Sequence, residues 1–243
     1  MKQFIFRHKF LKYTIVTSFW LLLWYVIYFW INDNSLIASP YNVIICLFNF
    51  IFNFNFWHTI ALSIIRIFSG FLLAFIVGTI LAIVTVKFDF INLFFKPIIS
   101  IIKTIPIVSL IILVTTFINM TFIPTFISFI TVLPVTFNNV YYGIKQKNNI
   151  KGKKQKIMLT DVTPYIISAV SSGIGFAWKS GISAEVLVKL KESVGYEIYF
   201  AKSNCLITEL FTWTAIVVII CFLLENFIIF IVKLLTNKKN ITF

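Results

Sequence analysis

Acidic residues are scarce in this chain, with 8 Asp and Glu against 21 Lys and Arg in 243 residues. Charged residues of either sign make up 12% of the sequence and hydrophobic ones 60%. A soluble domain with that balance lacks the polar side chains to cover its surface. With so few acids, no two carboxylates stand at a catalytic spacing. The two histidines, His8 and His58, lie far apart, and neither HExxH nor GxSxG occurs. The "KGKK" at 151–154 lacks the upstream glycine of a phosphate-binding loop. The chain is therefore not expected to be an enzyme or to hold a cofactor or metal. The three cysteines, Cys46, Cys205 and Cys221, show no CxxC or His/Cys spacing and read as small apolar residues. Cys46 and Cys205 fall on the same expected side, which leaves a bridge between them open.

Long apolar runs make the chain an all-α polytopic membrane protein with about six crossings, taking roughly 20 residues for each. The expected spans are near residues 13–31, 59–86, 91–117, 122–144, 164–188 and 206–235. The basic opening "MKQFIFRHKFLK" resembles a signal peptide, but residues 13–31 are long enough to span. No small-residue cleavage site follows, so an uncleaved first helix is expected. The net charge of +13 invites a nucleic-acid reading. The cations cluster at span ends, where topology wants them, and nucleic acid is not an expected partner.

Those cations also set the orientation. Lys2, Arg7, Lys9 and Lys12 precede the first span, and Lys87 and Lys96 flank the turn between the second and third. Six lysines lie within 145–156, and Lys233, Lys238 and Lys239 end the chain. With six spans all of these fall on one side, which is then cytoplasmic, with both termini. Only Lys189, Lys191 and Lys202 face the other side, and residues 32–58 carry no Lys or Arg. The stretch "SPYNVIICLFNFIFNFNFW" (39–57) is too interrupted for a span and reads as an interfacial or packed helix. The expected organisation is one membrane domain over 1–243. Its cytoplasmic parts are 1–12, the loop 145–163 and the tail 236–243.

The chemistry that remains is the polar groups inside spans: Arg66, Lys103, Lys179 and Glu185. Charges at such depth face a bundle interior, a partner or a water-filled path. Lys103, beside Pro106, reads more simply as a snorkelling side chain. For Arg66 and Glu185, a static ion pair and a place on a path are both open. Three of the eight glycines, Gly173, Gly175 and Gly181, fall in the fifth span. Helical spacing puts Trp178, Gly181 and Glu185 on one stripe, with Lys179 and Ser183 on its neighbour. Small residues let helices approach closely in lipid, so this span is expected to be an inner helix. Arg66, Trp178, Lys179 and Glu185 are the candidate residues of a translocation path or gate. In the lysine-rich loop, Lys147, Ile150, Gly152, Lys153, Lys154 and Ile157 are candidates for docking a cytosolic partner.

Several stretches, in order, carry a family likeness. They are "SP" at 39–40, "SIIRIFSGFLLAFIVGTILAI" (63–83), "KPIISIIKTIPIVSLIILV" (96–114), "LPVTFNNVYYGI" (133–144), "TPYIISAVSSGIGFAWKSGISAEVL" (163–187) and "VGYEIYFAK" (194–202). Together they resemble the permease subunit of bacterial binding-protein-dependent ABC importers with the type I fold. The most similar branch handles nitrate, sulfonates, taurine and thiamine-precursor pyrimidines. The resemblance implies a permease homodimer in the cytoplasmic membrane, in contact with lipid. It also implies cytosolic ATPase subunits that use ATP, an extracytoplasmic binding protein, and an outer loop at 194–202. One departure stands out. The Glu-Ala-Ala…Gly signature of the family's coupling loop is missing between Pro134 and Pro164, where Gly152 is the sole candidate glycine. An ATPase-independent secondary transporter or channel is the alternative.

Overall fold

The computed structural model describes residues 2–33, 35–151 and 159–236. Among these every regular element is helical: α1 (Lys2–Ile31), α2 (Pro40–Ile51), α3 (Phe54–Lys87), α4 (Asp89–Thr104), α5 (Ile107–Val114), a 3-10 turn (Met120–Phe122), α6 (Ile123–Lys151), α7 (Leu159–Val188), α8 (Val194–Ser203) and α9 (Ile207–Thr236). Four stretches among the described residues are long and apolar enough to cross a membrane: Thr14–Ile31, Phe54–Lys87, Met120–Gln146 and Ile207–Ile231. The chain is membrane-embedded. The pair α4 and α5 makes a fifth crossing candidate if counted together. Helix α7 is about 45 Å long at 1.5 Å per residue, but Lys179, Glu185 and several serines dilute its apolar character.

The continuous span expected over 91–117 is broken. Helices α4 and α5 meet at a 98° bend. Pro106 offers no N–H to the Ile102 carbonyl, and its ring drives Ile105 out of the helical region, to φ −71 and ψ 125. The outer loop implied at 194–202 is likewise helix α8.

Contacts divide the chain into two compact units. The first contains residues 1–57 and 197–216. Here Ser39 caps α2, its hydroxyl accepting from the Asn42 N–H at 3.1 Å, with Pro40 in the first helical position. Phe50, Phe56 and Trp213 form an aromatic cluster with centroids 5.3–6.0 Å apart, and Trp24 stacks on Phe211. Asp33 accepts from the Ser35 hydroxyl and N–H, which holds its carboxyl below the usual range. Burial, and then the charge of Glu209, push the Glu197 carboxyl up.

The second unit contains residues 58–196 and 217–243. Its helix directions follow from close approaches. A Cβ on Gly70 would overlap the Thr125 carbonyl, and one on Gly78 would crowd Thr136 and the Leu133 carbonyl. Position rises along α3 and α6 together, so they run parallel. Helix α7 runs against both. Gly181 packs on Ile67 and Gly173 on Phe71, while the Ser128 hydroxyl donates to the Ala177 carbonyl at 3.1 Å. Helix α9 runs against α7, with Trp178 Nε1 donating to the Val217 carbonyl at 2.9 Å and the Ser171 hydroxyl to Glu225 at 2.6 Å. Asn92, near the start of α4, donates to the Tyr141 hydroxyl toward the C-terminal end of α6. Ile111 and Val114 of α5 pack with Ile123 and Ile127 at the other end of α6, and with Ala184 and Val188 of α7. The bent pair therefore travels the length of α6 in the opposite direction.

Candidate functional site

The polar groups of the second unit gather where α7 turns into α8. The turn is a Schellman motif: the Leu190 N–H bonds the Glu185 carbonyl at 3.1 Å and the Lys189 N–H the Val186 carbonyl at 3.3 Å. Lys189 takes the left-handed conformation such a turn needs, with φ 54. Leu190 tucks into the apolar cluster with Ala184 and Val188. The chain then enters α8, whose first N–H groups have no partner within their own helix. All three of the first are satisfied from side chains. The Val194 N–H donates to the Ser63 hydroxyl at 2.9 Å. The Gly195 N–H donates to Glu185 Oε2 at 3.1 Å. The Tyr196 N–H donates to the Ser193 hydroxyl at 3.0 Å.

Glu185 is fully buried. Besides Gly195, its Oε2 accepts from the Ser63 hydroxyl at 2.9 Å. Its Oε1 has no hydrogen-bond partner among the described residues. The carboxyl group sits against a helix N-terminus, where partial positive charge favours an acid. Gly195 makes the approach possible, because a Cβ there would overlap Glu185 Cβ and crowd the Val186 N–H. One turn along α3 from Ser63, Arg66 donates Nη1 to the Glu192 carbonyl at 3.0 Å. Glu192 is another residue in left-handed conformation, with φ 54. Ser63 and Arg66, at i and i+3, thus hold both strands of the corner from one face of α3.

Of the four candidate path residues, Arg66 and Glu185 therefore share this corner. Trp178 lies two turns earlier on the same buried stripe of α7, 1% exposed, and is anchored to α9 through its indole N–H. Gly181 is buried between them. Lys179 and Ser183 are exposed on the other side of α7, and the Ser183 hydroxyl bonds back to the Lys179 carbonyl. The tight packing expected of the glycines holds for Gly173 and Gly181. Gly175 has nothing within 4 Å of where its Cβ would stand. A narrow cleft between α3, α7 and α9, lined by Ile64, Phe68, Phe71, Ile174, Trp178 and Leu224, is wholly apolar and offers a polar solute nothing to bind.

Lys147 and Ile150 lie near the C-terminal end of α6. Gly152, Lys153, Lys154 and Ile157 lie outside the described residues. All three cysteines are free, and no group of His, Cys, Asp or Glu among the described residues is arranged to hold a metal ion. The residues that sequence reasoning missed are Ser63, Ser193 and Gly195. Only Ser193, a serine at the start of a polar-apolar turn, carried a local signal, that of an N-cap. No protein-family model matches the chain, and no curated protein matches it.

Proposed function

We propose that the chain is the permease subunit of an ATP-driven ABC importer in a bacterial cytoplasmic membrane. In this reading the bent pair α4–α5 and helix α7 both cross, which with the four apolar stretches makes six spans. The parallel run of α3 and α6 supports this, because the segment joining them must return across the thickness they share. The last turns of α6, with Lys145, Lys147 and Lys151, then lie at the same end as Lys87, which suits a cytoplasmic side.

The observation that carries the transport reading is α7. One face of it packs into the chain through Trp178, Gly181 and Glu185, while Lys179 and Ser183 are exposed at mid-helix. A lysine at that depth is too costly to face lipid and belongs on a water-filled path or a partner. A homodimer would enclose that face. Two cytosolic ATPase subunits would dock on 145–163, and an extracytoplasmic binding protein would deliver a small solute of the nitrate, sulfonate, taurine or pyrimidine class. The chain itself holds no nucleotide; ATP is used by the partner.

A second reading, a secondary transporter or channel without an ATPase, is favoured by the free Oε1 of Glu185, a buried acid of the kind that couples ions. The test is reconstitution of the affinity-purified complex in liposomes. The importer reading expects a co-purifying P-loop ATPase and vanadate-sensitive ATP hydrolysis. Transport by the chain alone, without ATP, would overturn it.

A further inference from the structure

The break between α4 and α5 leaves backbone groups that lipid cannot satisfy. At the end of α4 the carbonyls of Ile102, Lys103, Thr104 and Ile105 have no donor among the described residues, since Pro106 brings no N–H and α5 starts in a new direction. At the start of α5 the N–H groups of Ile107, Val108 and Ser109 are equally without partners there, because Pro106 gives no side-chain cap. The first bond of the new helix is from the Leu110 N–H to the Pro106 carbonyl, at 3.1 Å. Residues 103–109 are all exposed, and they include Lys103, Thr104 and Ser109.

The break lies between the level of Tyr141, where α4 begins, and that of Ile127, against which α5 packs. Both levels are within the apolar stretch Met120–Gln146. Non-helical backbone at membrane depth survives only where protein covers it or water reaches it. Within the unit that holds the break, its own chain does not cover it. Carbonyls at the end of one half-helix, N–H groups at the start of the next and an exposed ammonium beside them form a surface that water satisfies fully and an apolar surface does not.

We infer that the Lys103–Ser109 break is a water-accessible part of the wall of a path through the membrane. The inference rests on the transport reading but not on its ATPase. It assigns the break a role that neither Lys179 nor the Glu185 corner supplies.

Thiol labelling of the full chain in membrane vesicles tests this. Cys46, Cys205 and Cys221 are replaced by serine, and single cysteines are introduced as Thr104→Cys and Ser109→Cys. Leu73→Cys, on an exposed apolar position of α3, is the dry reference. A chain retaining only Cys205, exposed in the turn before α9, is the wet reference. N-ethylmaleimide labelling in detergent establishes that each thiol is reactive, and a monodisperse gel-filtration peak that each variant is folded. With a charged, membrane-impermeant methanethiosulfonate, Ser109→Cys and Thr104→Cys are expected to react at least tenfold faster than Leu73→Cys. Two results would overturn the inference. One is labelling as slow as at Leu73 for both positions. The other is protection from the reagent together with an oxidant-induced disulfide dimer through Ser109→Cys, which would make the break a dry contact between two copies. Rapid labelling in a chain that has no ATPase partner would remove the importer reading and leave the wet break standing.

Discussion

Removing the Glu185 carboxyl separates a structural corner from a transport residue. Glu185→Ala strands the Gly195 N–H, deprives the Ser63 hydroxyl of its acceptor and leaves a hole at a fully buried position. Each stranded buried group costs about 1–3 kcal/mol. The variant is also relieved of burying a carboxyl group, which offsets part of that loss. The net is a destabilisation of about 2–4 kcal/mol, or roughly 5–15 °C in unfolding midpoint for a chain of this size. Glu185→Gln keeps the shape and one acceptor oxygen, and is expected to lose no more than about half as much. Ser63→Ala removes a partner of both Glu185 and the Val194 N–H, so its effect should not add to that of Glu185→Ala. A double-mutant cycle is expected to give a coupling of about 1–2 kcal/mol. Thermal unfolding in detergent, followed by tryptophan fluorescence, reads wild type, the three single variants and the double variant. An unfolding midpoint for Glu185→Ala within about 1 °C of wild type, with normal membrane insertion, would refute the corner argument and return Glu185 to the path.

Five other outcomes are expected. Gly195→Ala should destabilise by about 2 kcal/mol or more in the same unfolding assay, because its Cβ overlaps Glu185. Gly175→Ala, with open space around it in a helix interior, should be neutral or stabilise by up to about 1 kcal/mol. Trp178→Phe should lose about 1 kcal/mol with the bond to Val217, and native-state hydrogen exchange should rise where α9 meets α7. Glu197 is held above its ordinary range by burial and Glu209, so the folded state binds its proton more tightly than the unfolded chain. Its favourable contribution is present in acid and lost as pH rises through the raised value. Glu197→Gln should therefore raise the unfolding midpoint at pH 7 and leave it unchanged near pH 4. Finally, reversing the charge of Lys153 and Lys154 should weaken retention of a co-purified ATPase at least severalfold, while equal retention would reduce them to topology signals.

Hydrophobic run length carried most of the helix positions, because a crossing segment must satisfy its own backbone and so becomes a helix wherever it is apolar enough. Two expectations failed for identifiable reasons, one from run length over 91–117 and one from the family resemblance over 194–202. Over 91–117 the apolar content continues across Pro106, so hydropathy sees one span where backbone chemistry makes two helices. Over 194–202 the residues are too few and too mixed for a crossing, and α8 forms because Ser63, Glu185 and Ser193 satisfy its first turn. Two of those three groups come from other helices, and no local pattern could announce them.

Glu185 shows what sequence periodicity can decide about a charge in an apolar run. The i, i+3, i+7 spacing placed Trp178, Gly181 and Glu185 on one face, and that face is buried. It could not say what the buried acid meets, because its partners lie 122 and 10 residues away in the chain. Burial by itself was compatible with an ion pair with Arg66 or with a path. The geometry instead gives Arg66 to the Glu192 carbonyl and Glu185 to a helix start, so the two residues grip opposite sides of one turn. A group committed to holding α8 in place is poorly suited to meeting cargo. Of the charges first singled out inside spans, Lys179 and Lys103 are the exposed ones, and the proposed path gives them water to face. Lys179 stands on α7 and Lys103 beside the α4–α5 break. Both are cations, so a path they line would favour anions over cations of the same size. Replacing either with glutamine should weaken that preference in liposome flux measurements by severalfold, and an unchanged anion-to-cation ratio in both variants would take these lysines out of the path.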